Sequence, residues 1–127
     1  MSDLPIDPDE HALVVKAFQM ACGTRCYVKG YVEWSEKWAR ISQKNLAELG
    51  LTLEGVRVLA IDHVRRHGGC AIIQVPETME DHDRPYYYKV RLEVEGIIPG
   101  VFVKIRLDDE TPDNPTVVLV SAHREGV

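Results

Sequence analysis

The chain has 127 residues, 45% of them hydrophobic and 28% charged, the proportions of one globular domain of ordinary size. No run approaches the roughly 18 apolar residues of a membrane span, and the balance excludes a disordered class, apart from residues 1–7, which read as a flexible end. The formal net charge of −5 and the pI near 5.5 set the whole-molecule field against nucleic acid, so any such partner requires a local positive patch.

The first residues, Met1-Ser2-Asp3-Leu4-Pro5-Ile6-Asp7, are acidic and broken by proline. They lack the basic start and apolar run of a signal peptide, so a cytoplasmic location is expected. Three cysteines, Cys22, Cys26 and Cys70, then read as reduced thiols.

Asp7 is suited to cap a first helix, with Pro8 at its first position and Asp9 and Glu10 in its first turn. Leu13, Val14, Ala17 and Phe18 recur at helical spacing and Gly23 is a stop, which predicts a helix over about Pro8–Ala21. Arg25-Cys26-Tyr27-Val28-Lys29 reads as a short strand. Ser35–Leu49 reads as a second helix with Trp34, Trp38, Ala39 and Ile41 as its buried face and Gly50 after it; residues 31–35 fit helix or strand. Thr52 caps a third helix whose stripe is Leu53, Val56, Leu59, Ala60 and Val64, ending at His67-Gly68-Gly69.

From Cys70 the period changes to two. Strands are predicted at 71–75, 86–94, 101–107 and 116–123, separated by an acidic loop at 77–84 and turn-rich segments at 95–100 and 108–115. Connections this short favour antiparallel neighbours. The expected fold is α+β: one domain over 1–127, with N-terminal helices packed on one face of a C-terminal antiparallel sheet of about four strands.

Alternation sorts the faces. Tyr86, Tyr88, Val90, Leu92 and Val94 share one side, and Tyr87, Lys89, Arg91 and Glu93 the other. Val101, Val103, Ile105 and Leu107 likewise oppose Phe102, Lys104 and Arg106. The last strand is apolar on both sides. Placing Val118, Val120 and Ala122 inward puts Ser121 and His123 on the cationic face, and an interior imidazole without a partner is costly. The outer face then collects Tyr87, Lys89, Arg91, Phe102, Lys104, Arg106 and His123. Cations for phosphate and rings for bases are what a single-stranded nucleic acid requires. The solvated side of any antiparallel sheet also carries Lys and Arg, so both readings stand at this point.

Several phrases carry a family likeness: Glu48-Leu49-Gly50-Leu51, Glu54-Gly55, Arg91-Leu92, Val101-Phe102-Val103-Lys104-Ile105 and Val120-Ser121-Ala122-His123-Arg124-Glu125. Over about residues 40–125 the chain resembles the RelE-like toxin ribonuclease superfamily, nearest the motility quorum-sensing regulator type. The resemblance implies helices on a sheet, cleavage of single-stranded mRNA with no metal or other cofactor, and a cognate antitoxin protein that blocks the sheet face. It also implies active-site side chains on the last two strands. A family tyrosine falls on Phe102, which has no hydroxyl, and a basic residue near the C-terminus falls on His123. Gln74 is the one candidate for the family's glutamine. The roles expected are catalysis by His123, Lys104 and Arg91, and RNA binding by Tyr87, Lys89, Phe102 and Arg106.

Internal RNA cleavage needs a base for the 2′-hydroxyl, an acid for the 5′-oxygen and positive groups beside the phosphorane. An imidazole with an ordinary pKa near 6.5 suits the proton transfers. Other readings stay open. An acidic, non-catalytic inhibitor or immunity-like module would mask a basic partner. His63 and His67, four apart on a helix, with Cys70, Cys22 and Cys26, offer zinc-type donors, although two imidazoles beside Arg65 and Arg66 also describe a solvated helix end. No membrane partner is expected, and a homodimer is compatible with the pattern.

Overall fold

The computed structural model describes residues 8–21, 31–76, 86–109, 111 and 113–124. Helix α1 spans Pro8–Ala21 and buries Val14, Ala17, Phe18 and Ala21, the stripe that its helical spacing predicts. Strand β1 follows at Val32–Trp34, then helix α2 at Glu36–Ala47 and helix α3 at Leu53–His67. The Thr52 hydroxyl accepts the Gly55 N–H at 3.0 Å, a standard N-terminal cap. A 3₁₀ turn, Gly68–Ala71, leads into β2 at Ile73–Pro76. Strands β3 (Tyr86–Val94), β4 (Ile97–Asp109) and β5 (Thr116–Arg124) complete the order.

Two expectations about the sheet are corrected. It has five strands among the described residues, ordered β1-β5-β4-β3-β2, and it is mixed. β2, β3, β4 and β5 are successive antiparallel neighbours, but β1 pairs with β5 in parallel, Val32 opposite Val117 and Trp34 opposite Leu119. The strand expected at 25–29 lies outside the described residues. The N-terminal strand that is seen comes from 31–35, where the apolar pattern fits either class. β4 also begins earlier than expected, because the turn is reduced to Glu95-Gly96 and Ile97–Gly100 joins the strand.

The helices pack on one side of this sheet. The core joins Phe18, Leu46, Val56, Ile61 and Val64 to Val90, Val103, Ile105 and Leu119. The face predicted for α2 is wrong. Trp38 is 38% and Ile41 58% exposed, while Ser42 and Leu46 are buried. Ser42 and Leu46 stand one turn apart, and Ile41 lies about 100° off that line. Trp34 belongs to β1 instead, where its indole N–H donates to the Leu53 carbonyl at 2.8 Å. The polar Ser42 hides the packed stripe from a reading by hydrophobicity.

Arg57, on α3, is the largest fully buried side chain. Its Nε donates to the Val32 carbonyl at 2.6 Å and stands 3.7 Å from Glu33. Its Nη1 reaches Glu54 at 3.2 Å. A guanidinium removed from water requires such partners, and here they fasten edge strand β1 to the helix layer. Substitution Arg57→Met keeps bulk but leaves the Val32 carbonyl without this donor. We expect a loss of about 1–3 kcal/mol in urea unfolding; an unchanged midpoint would show that other contacts hold β1.

Candidate functional site

The outer face is set by a register shift. Leu119 stands opposite Ile105 and Ser121 opposite Lys104, so Val120 is an extra residue in β5. Such a bulge reverses the alternation on either side of it. Val117, Leu119 and Ala122 are therefore core residues, whereas Val118 stands opposite the outer-face residue Arg106. Of the expected inward set, Ala122 and the bulged Val120 are buried, while Val118 gives way to Val117 and Leu119. His123 keeps its outward place, opposite Phe102. No hydrophobicity pattern marks the bulge, since all four residues Val117–Val120 are apolar.

Three strands then bring the expected residues into rows. Arg91 stands opposite Phe102, and Phe102 opposite His123. Lys89 stands opposite Lys104, and Lys104 opposite Ser121. The Tyr87 and Phe102 rings are near-parallel with centroids 6.4 Å apart. The His123 ring meets Phe102 edge-on at 5.2 Å. Lys89 Nζ lies 5.1 Å from the Phe102 centroid, and Lys104 Nζ lies 4.5 Å from that of Tyr87. Arg106 extends this group along β4: with Tyr88 opposite Ile105 the ladder sets it beside Tyr87, about 13 Å from Phe102 at the usual rise. Ile73, on β2, adds a 46% exposed apolar side chain opposite Lys89, which sequence reasoning does not assign to the face.

Lysines directly across a ladder repel one another. Here each ammonium rests over a different ring, which offsets part of that repulsion. His123 is oriented as well. Its Nδ1 is 3.0 Å from the Arg124 carbonyl, which can only accept, so Nδ1 carries the proton and Nε2 holds the lone pair of the neutral ring. The Arg124 side chain in turn donates to the Ile98 carbonyl at 3.0 Å.

Gln74 is not part of this face. It pairs with Tyr88, its amide donates to the Tyr88 hydroxyl at 2.9 Å, and Tyr88 is 1% exposed in the core. Gln74 therefore cannot reach a substrate beside His123. The zinc-type donors weighed as an alternative are not gathered: among the described residues no group of three or more His, Cys, Asp or Glu side chains is placed to hold a metal. Cys70 is exposed and turns its thiol to the His67 carbonyl at 2.9 Å; Cys22 and Cys26 lie outside the described residues, as does the acidic loop.

His63 and His67 do share a helix face, ring centroids 4.6 Å apart. They line a cleft of about 330 Å³ with Leu59, Asp62, Arg66, Leu92 and Glu93. Burial, and then the neighbouring His67, hold the His63 pKa below its ordinary value of 6.5. Asp62 is bridged by Arg65 at 2.7 Å and Arg66 at 3.1 Å.

No family model, curated protein or solved structure matches this chain.

Two outcomes follow from these contacts. Lys89→Glu replaces a repulsion across the ladder with an attraction, so the free protein should gain about 0.5 kcal/mol in denaturant unfolding; a loss would mean that the contact with Phe102 outweighs the repulsion. For His63 the unfolded chain binds the proton more readily than the folded one. The stability it contributes is therefore present above pH 6.5 and is lost as pH falls through the lowered folded value. His63→Gln should flatten that part of the profile between pH 7.5 and 5, read as the difference in urea midpoint from the parent in metal-free buffer.

Proposed function

We propose that the outer face of β3, β4 and β5 binds single-stranded RNA, and that the protein is an endoribonuclease of the RelE-like toxin type acting in the cytoplasm on mRNA. A cognate antitoxin would mask the same face. The observation that carries the reading is the directly opposed pair Lys89 and Lys104, set among three rings in a chain of net charge −5. An anionic ligand lying between the two ammonium groups would interact with both.

In this reading a base stacks on Tyr87 or Phe102, and Lys89 and Arg106 hold the backbone on either side. His123 Nε2 takes the proton of the 2′-hydroxyl. The 2′-oxygen attacks the adjacent phosphorus, and the bond to the 5′-oxygen breaks. The products are a 2′,3′-cyclic phosphate and a 5′-hydroxyl, the latter protonated by water. Lys104 and Arg91 neutralise the charge that develops on the phosphorane. Phe102, where the family has tyrosine, stacks but moves no proton, so His123 is the residue on which proton transfer depends.

A purified-protein assay on end-labelled mRNA tests this. His123→Ala should slow cleavage by about 10²–10⁴-fold. Phe102→Ala should weaken binding by about 1–3 kcal/mol for the base it stacks. RNA left intact by the parent protein would favour the second reading, a non-catalytic acidic module that masks a basic partner, which the missing hydroxyl at Phe102 supports. RNA neither bound nor cut would sink both RNA roles.

A further inference from the structure

β3 is longer than its neighbour on the β2 side. β2 pairs with it only over Tyr86–Lys89, so β3 continues from Val90 to Val94 past the end of that ladder. The 330 Å³ cleft opens at this place. It is lined by Leu92, an inward residue, and by Glu93, an outward one, with α3 as the opposite wall. A cleft that touches consecutive residues of a strand lies at the strand's edge, because successive side chains point to opposite faces. Gly100 shows which way Leu92 faces: a Cβ there would meet the Leu92 carbonyl oxygen at 2.6 Å, so that carbonyl is turned to β4. The main-chain groups of Glu93, next along, then face the cleft side.

The segment reads Val90-Arg91-Leu92-Glu93-Val94. Reversed about Leu92 it has the same apolar pattern with its charges exchanged. We infer that this edge is a self-association surface, on which a second copy adds its own β3 antiparallel about a two-fold axis through Leu92.

In that register Arg91 stands opposite Glu93 of the second copy and Glu93 opposite its Arg91. Val90 stands opposite Val94, and Leu92 opposite Leu92. The alternatives are disfavoured by the same residues. An axis through residue 91 or 93 sets arginine against arginine or glutamate against glutamate. An axis between residues sets apolar side chains against charged ones and turns one strand's buried side to water. The chosen register keeps both charged pairs on the outer face and all apolar pairs on the helix side, where Leu59 is 39% exposed. The interface is isologous and closes after two copies. Five paired residues a side form a small interface, so the dimer is a weak one. The inference does not depend on RNA binding.

Sedimentation velocity on the full chain over a wide concentration range provides the test. The parent should show a reversible monomer–dimer equilibrium that weakens with salt. Glu93→Lys should raise the dissociation constant by about tenfold or more, and Arg91→Glu should do the same. The double exchange Arg91→Glu/Glu93→Arg should restore the dimer, because it swaps the charges and keeps the pairing. A parent that stays monomeric throughout overturns the inference. So does a dimer that ignores the single substitutions, or a double exchange that fails to restore association while the protein remains folded by circular dichroism.

Discussion

One extra residue in β5 decides what this molecule presents to its surroundings. Without the bulge at Val120, β5 would keep a single alternation from Val117 to Arg124, and either Leu119 or Ala122 would leave the core. With it, Val117 and Leu119 seal one half of the strand and Ala122 the other, and His123 is delivered beside Phe102. The core requirement comes first energetically, since a buried Val or Leu side chain contributes about 1.5–3 kcal/mol. The outward position of the imidazole is a by-product of satisfying that requirement twice within nine residues.

The outer face is also a local exception to the charge of the whole. Acidic side chains dominate the sequence, yet the centre of β3 and β4 holds Lys89, Arg91, Lys104 and Arg106. The long stems of such residues cover apolar surface while their heads stay wet, which accounts for the partial burial of Lys89 and Lys104. Placing the Lys89 and Lys104 ammonium groups over the rings of Phe102 and Tyr87 offsets part of their repulsion.

Much of this was legible in the residues. The helix limits follow from Pro8, Thr52 and the glycines at 50 and 68, where φ is 76° and 69°; the two central strands follow from strict alternation in 86–94 and 101–107. What escaped is what alternation cannot encode. β1 is only three residues long, and its parallel partner is far away in sequence. The buried positions of α2 include a serine. The bulge lies within a run of four apolar residues. The place of Gln74 was decided by its pairing with Tyr88, a contact between strands that no local pattern reports.

The sheet order has a consequence for how the chain reaches this state. β5, the last of the described strands to be synthesised, lies between β1, made early, and β4. Seating β1 must wait for β5, because Val32 and Val117 meet only by closing a long loop. The helices and the β3–β4 hairpin can form from nearby contacts, but closure of the sheet is a late, non-local event of the slow kind. Until it occurs, Val32 lacks its partner Val117 and the His123 row does not exist. A nascent chain lacking β5 would therefore lack His123 beside Phe102 and the ladder that holds β1, while the lysine pair of the β3–β4 hairpin would already be in place.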